Sequence, residues 1–164
     1  MRDQLHPSAK KVQEAVEAKG FNFKIFEFSE TTRTSEDAAK AAGCELGQIA
    51  KSLVFRGKKS NQPVMVIASG VNRVDEKAIK AVLGEKIGRA DADYVREHTG
   101  FAIGGVPAVA HVKPIRIFID EDLMKWDEIW SAAGTPHAIY PLTPAQLVEM
   151  TNAEVIRTKK VAAD

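Results

Sequence analysis

The chain has 164 residues, a formal net charge of +1 and a single cysteine. That length is enough for one domain with a sizeable core. The near-neutral charge excludes a long nucleic-acid groove run by bulk electrostatics, though not a small contact with an RNA end, and the lone Cys44 excludes an internal disulfide or a cysteine metal cluster.

The first residues, Met1 to Pro7, lack the apolar core of a secretory leader, and no apolar run approaches the roughly 20 residues of a membrane span. The expectation is a cytoplasmic protein with no membrane partner. Ser8 can cap a first helix carrying Val12, Ala15 and Val16 on one side, which Gly20 stops. Phe21 to Phe28 alternates as a strand, with a change of parity at Phe26. Thr34 and Asp37 resemble a capping box ahead of an alanine-rich helix that ends at Gly43.

Ile49 to Arg56 and Pro63 to Ala68 read as the two arms of a hairpin about a polar turn. Asp75 opens a helix that Gly84 stops, Lys86 to Ala90 suits a short strand, and Asp91 or Asp93 caps a helix to Thr99. Ile115 to Ile119 reads as a buried strand. From Asp122 to Trp130, two tryptophans four residues apart would share one helix face. Ser131 to Pro136 reads as a small-residue turn, and His137 to Tyr140 as a strand. Thr143, Pro144 and Gln146 give a cap, a first-position proline and a capping-box partner. Glu154 to Arg157 is a last strand. The domain is read as residues 1–158, with 159–164 as a tail expected to fray. Hairpins mixed with helices favour α+β, with a mixed, largely antiparallel sheet, over a doubly wound parallel one.

Two stretches could carry chemistry. Lys51 heads the apolar run Ile49 to Phe55, where an ammonium must find solvent, a carboxylate or an anionic ligand. The turn Gly100 to Pro107 contains Gly104 and Gly105, whose lack of a Cβ allows close approach to backbone N–H groups. Each also has a plain reading, as a solvated strand lysine and as a turn that needs positive φ. The working expectation is that both face one pocket. Other chemistries find little support. Neither the Rossmann nor the P-loop spacing is present, and His6, His98, His111 and His137 form no zinc pattern. Ser52 and Ser69 lack a nucleophile elbow, and Cys44 reads as a small packed side chain. No metal and no cofactor is expected. Arg56, Lys58, Lys59, Arg73, Lys77 and Lys80 could touch phosphates or form an ordinary solvated surface.

Read together, Gln48 to Phe55, Val64 to Gly70, Val74-Asp75, Lys86 to Ala90, Thr99 to Phe101, Gly104 to His111, Ile117 to Asp120, Ala133-Gly134 and Leu142 to Ala153 resemble the YbaK family, the proline-tRNA-synthetase-associated editing domain. The ordered set covers most of the chain, although no single motif is strong. The resemblance implies a sheet curved towards a barrel with helices around it. It also implies a free-standing deacylase of mischarged tRNA, most plausibly of a small amino acid on tRNA(Pro). The family's lysine falls on Lys51, and its substrate loop on Gly104, Gly105, Val106 and Pro107. Gly134, Thr135 and His137 would line the far wall. Several members carry Gly-x-x-x-Pro in the loop, whereas Gly104 and Pro107 give Gly-x-x-Pro. The implied partners are the aminoacyl-tRNA acceptor end and, in some settings, a synthetase; DNA is not expected. Two alternatives stay open, a non-catalytic tRNA- or synthetase-binding module and a small-molecule esterase or nucleotide-like ligand binder.

Overall fold

The hairpin forms where the apolar runs predict it, and it is the middle of the sheet. The structure, a computed structural model, describes residues 5–160. In chain order the strands are β1 (Phe26–Glu27), β2 (Ile49–Gly57), β3 (Pro63–Ser69), β4 (Ile87–Arg89), β5 (Arg116–Asp120), β6 (Ile129–Ala132), β7 (Ala138–Leu142) and β8 (Glu154–Ile156). The helices are α1 (Pro7–Ala18), α2 (Ser35–Ala42), α3 (Glu76–Leu83), α4 (Ala92–Thr99) and α5 (Pro144–Thr151).

β3 is buried along its whole length, as a continuous apolar run in the centre of a sheet should be. Its alternate residues feed two cores. Met65 and Ile67 join the main core with Ile119, Tyr140, Leu147 and the α1 valines. Val64, Val66 and Ala68 join a smaller one with Phe118 and the α3 residue Ile79. The strand order is β1-β7-β6-β2-β3-β5-β8, with β4 branching from β2. β2–β3, β2–β4, β6–β7 and β1–β7 are antiparallel, whereas β2–β6, β3–β5 and β5–β8 are parallel. The fold is therefore α+β with a mixed sheet and surrounding helices.

One detail of register positions the site. β3 occupies one edge of β2 from Ala50 to Arg56. On the other edge β6 takes only Ile49 and Ala50, and β4 takes only Phe55 to Gly57. Between them, Lys51 to Val54 have no strand neighbour on that edge. Strands twist away from each other, so a gap in the ladder opens a cleft.

The helix ends follow the sequence signals, with one exception. Thr34 accepts the Asp37 N–H at 3.0 Å, and Gly43 closes α2 at φ +71°. Thr143 and Gln146 form the reciprocal capping box of α5. The exception is α1. Its cap is His6, whose Nδ1 accepts the Ser8 N–H at 3.1 Å, and Pro7 takes the first helical position, where a missing N–H costs nothing.

Three expectations are corrected. Only Phe26 and Glu27 of the predicted first strand pair, because Phe21 stacks on Phe23 and Phe23 on Tyr140, and those rings go into the core rather than onto a ladder. Asp122 to Trp130 is not a helix. Asp120 caps a single 3-10 turn over Glu121–Leu123, and β6 then begins at Ile129. The tryptophans part: Trp126 covers Gly47, and Trp130 lies on a strand against Phe26. Pairing with β2 and β7 outweighs the i,i+4 spacing. β6 also absorbs Ser131 and Ala132 from the predicted turn. At the C-terminus, Thr158 is fully buried and Lys159 bridges Val74 in antiparallel pairing; the remainder of the predicted tail, 161–164, lies outside the described residues.

Candidate active site

The cleft beside β2 is a cavity of about 270 Å³. Lys51, Ser52 and Leu53 form one side of it, Ile103, Gly104 and Val106 the second, and Thr32 to Ser35 at the start of α2 the third. Ala38, Ile49, Trp130 and Ile139 add an apolar lining. Lys51 thus shares one pocket with the glycine turn through Ile103, Gly104 and Val106, whereas Gly105 and Pro107 are not among its lining residues.

Lys51 is half-buried, and among the described residues no carboxylate lies within 4.0 Å of its ammonium. Burial pushes its pKa below the ordinary lysine value. The Glu36 and Asp120 carboxylates oppose that, and the Arg73 guanidinium adds to it. Asp120 is held rigidly. Its Oδ2 accepts the Ser69 N–H at 3.0 Å and the Asn72 Nδ2–H at 2.8 Å, and its Oδ1 accepts the Asp122 N–H at 2.9 Å. In the sheet, Lys51 sits opposite Ala68, and Asp120 follows Ile119, the partner of Ile67. A small alanine therefore separates the cation from the buried carboxylate.

The loop is built by its glycines. Gly104 takes φ +96°, and a Cβ there would lie 2.6 Å from Cγ of Arg33. Gly105 has no such φ, but a Cβ would meet the Thr135 backbone at 2.6 Å. Gly104 thus lets Arg33 fold over the cavity rim, and Gly105 lets the loop touch residue 135. Gly105→Ala is expected to cost about 1–3 kcal/mol, as overpacking does; a denaturant midpoint unchanged from wild type would contradict this.

The glycine amides are not all open. Gly105 donates its N–H to Ala102 O at 3.1 Å within the turn. Gly104 and Val106 have no acceptor for their N–H groups among the described residues. Pro107 is buried below the cavity, its carbonyl taking the His111 Nε2–H at 2.7 Å. Burial holds the His111 pKa low, against that hydrogen bond, so the imidazole is neutral and serves the loop as a strut.

Gly134, Thr135 and His137 do not line this cavity. They line a neighbouring one of about 730 Å³, on the far side of the Gly105–Thr135 contact. Arg33 and Thr32 were missed in the sequence. Thr32 Oγ1 and Ser52 Oγ are buried with no hydrogen-bond partner, and both residues line the smaller cavity. A threonine in Thr31-Thr32-Arg33-Thr34 gives no periodic signal, so only the fold marks it. No carboxylate or histidine lines the cavity, and the described residues hold no cluster of three or more metal-ligating side chains. The chemical inventory is an ammonium, a guanidinium, free amide N–H groups and unpaired hydroxyls above an apolar floor. Such a site suits a small ligand with a polar, electron-rich end.

The model of the aminoacyl-tRNA editing domain family matches residues 29–150. The chain belongs to that family, the YbaK or synthetase-associated editing domains. Its editing-domain fold is closely shared with a solved structure described as "a putative trans-editing enzyme for prolyl tRNA synthetase", at 44% identity and TM-score 0.91, over 96% of this chain and 100% of that one. YwhH of Bacillus subtilis, a protein of uncharacterized function, is 31% identical over 131 residues, covering 80% of this chain and 83% of its own. A protein of Enterococcus faecalis named "Putative Cys-tRNA(Pro)/Cys-tRNA(Cys) deacylase EbsC" is 29% identical over 143 residues, covering 80% and 87%. The family match spans both cavity-forming segments, 32–35 and 103–106, together with Lys51, so the cleft beside β2 lies wholly inside the editing domain.

Proposed function

We propose that this editing domain hydrolyses the ester of tRNA carrying a wrong, small amino acid, with tRNA(Pro) as the acceptor, and that Lys51 is its central catalytic group. The observation that carries the reading is the shared cavity of Lys51 with the unbonded N–H groups of Gly104 and Val106. An aminoacyl ester is already activated, so hydrolysis needs a placed nucleophile and a home for the developing oxyanion. A water oxygen adds to the ester carbonyl carbon and gives up the proton that the leaving oxygen later takes; where a ribose hydroxyl of the substrate adds first, the acyl group only moves to it, and water then cleaves the new ester in the same way. The carbonyl electron pair moves to oxygen, which the Lys51 ammonium and the loop amides stabilise. Collapse then breaks the acyl C–O bond, and the departing ribose oxygen takes up a proton. The absence of a carboxylate or histidine among the lining residues supports a nucleophile supplied by water or substrate.

The cavity's volume favours a small side chain. Discrimination by a missing methylene is worth only ~1–3 kcal/mol, the shortfall that makes an editing step useful. The names of EbsC and of the solved trans-editing relative support tRNA(Pro) as the acceptor. The reaction takes place in the cytoplasm, with a synthetase as the supplier of mischarged tRNA. A panel of aminoacyl-tRNAs tests the reading directly: rapid loss of small amino acids from tRNA(Pro), and slow loss of proline, is expected. Binding of tRNA with no turnover on any member would reduce the protein to a binding module, and turnover of simple esters alone would make it a small-molecule esterase.

A further inference from the structure

The two cavities adjoin. Two segments pass from the larger to the smaller in chain order: Phe28 and Ser29 line the first and Thr32 to Ser35 the second, just as Gly100 to Ala102 line the first and Ile103, Gly104 and Val106 the second. The segments are tied at the boundary. Pro136 O accepts the Thr32 N–H at 2.6 Å and the Thr31 hydroxyl at 3.2 Å. The two cavities thus meet along that boundary, with the Thr32–Pro136 tie and the Gly105–Thr135 contact between them.

The larger cavity has its own chemistry. Arg96, in the last turn of α4, lines it and is exposed, and its guanidinium makes no hydrogen bond or ion pair among the described residues. His137 donates Nδ1–H to Glu30 O at 3.0 Å, since a carbonyl can only accept. With Nδ1 so engaged, Nε2 is the ring nitrogen left over. Phe28 contributes a half-buried ring. The cavity's carboxylate, Glu27, already accepts the His6 N–H at 3.1 Å. At about 730 Å³ the space lies within the ~300–1,000 Å³ typical of whole small-molecule ligands, whereas the smaller cavity falls below that range.

We infer that the larger cavity is a second subsite, receiving the nucleotide that precedes the acylated one, with its phosphate on Arg96 and its base between Phe28 and His137. In tRNA that nucleotide is a cytidine, which offers both a donor, its exocyclic amino group, and acceptors to a ring nitrogen. A base stacked on an aromatic ring and a phosphate on an arginine are the usual elements of single-strand recognition. The inference rests on the deacylase reading and names which part of the RNA that site grips.

The test compares three acylated substrates on the purified protein: 3′-aminoacyl-adenosine, aminoacyl-CpCpA and aminoacyl-tRNA. Wild type is expected to prefer the trinucleotide to the nucleoside. In Arg96→Ala the ratio of kcat/KM for trinucleotide over nucleoside should fall about tenfold, the loss of one charge-assisted hydrogen bond. Arg96→Glu should lower the ratio further, and Arg96→Lys should recover part of it. The salt slope of tRNA binding should shrink by about 0.7, the contribution of one single-strand phosphate. Equal handling of nucleoside and trinucleotide by wild type, or a ratio unmoved in both Arg96→Ala and Arg96→Glu, overturns the second subsite while leaving the deacylase in place. A wild-type protein idle on all three overturns both.

Discussion

Lys51→Ala is expected to lower kcat for deacylation by about 10²–10³-fold, the usual cost of removing one donor from an oxyanion site. The loss should fall on kcat more than on KM, because the interaction strengthens as charge develops on the ester oxygen. The fold should survive. Lys51 makes no ion pair within 4.0 Å among the described residues, and its neighbour across the hairpin is Ala68. Stability should even gain when an apolar side chain of similar length replaces it. Burial lowers the Lys51 pKa relative to the unfolded chain, so at every pH below that folded value the ammonium carries a penalty that unfolding relieves. Lys51→Met removes the penalty, and its melting temperature should equal or exceed that of wild type while activity is lost. A Lys51→Ala protein that deacylates at the wild-type rate would remove Lys51 from the chemistry.

The pH profile is expected to follow the same residue. If the ammonium is the working form, activity declines as pH rises through the Lys51 pKa, which lies below the ordinary lysine value. Lys51→Arg keeps a cation that does not titrate in this range and should lose the alkaline decline, whatever its absolute rate. Activity that instead rises through that pH, beyond the background of hydroxide hydrolysis, would make the neutral amine a general base. Arg73→Ala should shift the decline to higher pH and Glu36→Gln to lower pH, because the guanidinium lowers the Lys51 pKa and the carboxylate raises it.

Much of this architecture is written in local pattern. The caps at Thr34, Asp75 and Thr143 depend on side chains within four residues of the backbone groups they serve, and the stops at Gly43, Gly84 and Gly100 on a left-handed φ that glycine adopts freely. The pairing of Lys51 with the glycine turn was legible because both break their surroundings, a charge in an apolar run and two adjacent glycines without a neighbouring strand. What remained illegible depends on contacts distant in sequence. Trp126 and Trp130 have helical spacing, yet β6 is claimed by strands some eighty residues before it and ten after. Phe21 and Phe23 alternate like a strand but spend their rings on Tyr140. Thr32 and Arg33 reach the site only because residues 31 and 32 are tied to Pro136. The assignment of Gly134, Thr135 and His137 to the same pocket missed the wall that Gly105 makes with Thr135.

Asp120→Ala is expected to destabilise the protein by about 3 kcal/mol, the upper end for a stranded buried donor, because two further hydrogen bonds to the carboxylate go with it. The carboxylate is fully buried at the end of β5, yet it is not idle, since three hydrogen bonds converge on it. Alanine would leave the buried Ser69 N–H without its acceptor and the Asn72 amide with only its second one, Asp122 Oδ2 at 2.8 Å, and an unsatisfied buried donor costs about 1–3 kcal/mol. Those donors hold the corner that follows β3. There the Ser69 hydroxyl donates to Gly47 O at 2.8 Å and the Gly70 N–H to Ile49 O at 2.8 Å. Loosening the corner therefore frees the start of β2, and with it the segment that sets Lys51 beside the loop. Asp120→Asn separates the two roles. It keeps one acceptor, so the destabilisation should be smaller, but it removes a charge that raises the Lys51 pKa. The alkaline decline in activity should then begin at lower pH than in wild type. If Asp120→Asn unfolds like Asp120→Ala and its remaining folded fraction keeps the wild-type pH profile, Asp120 is a structural pin with no electrostatic hold on the site.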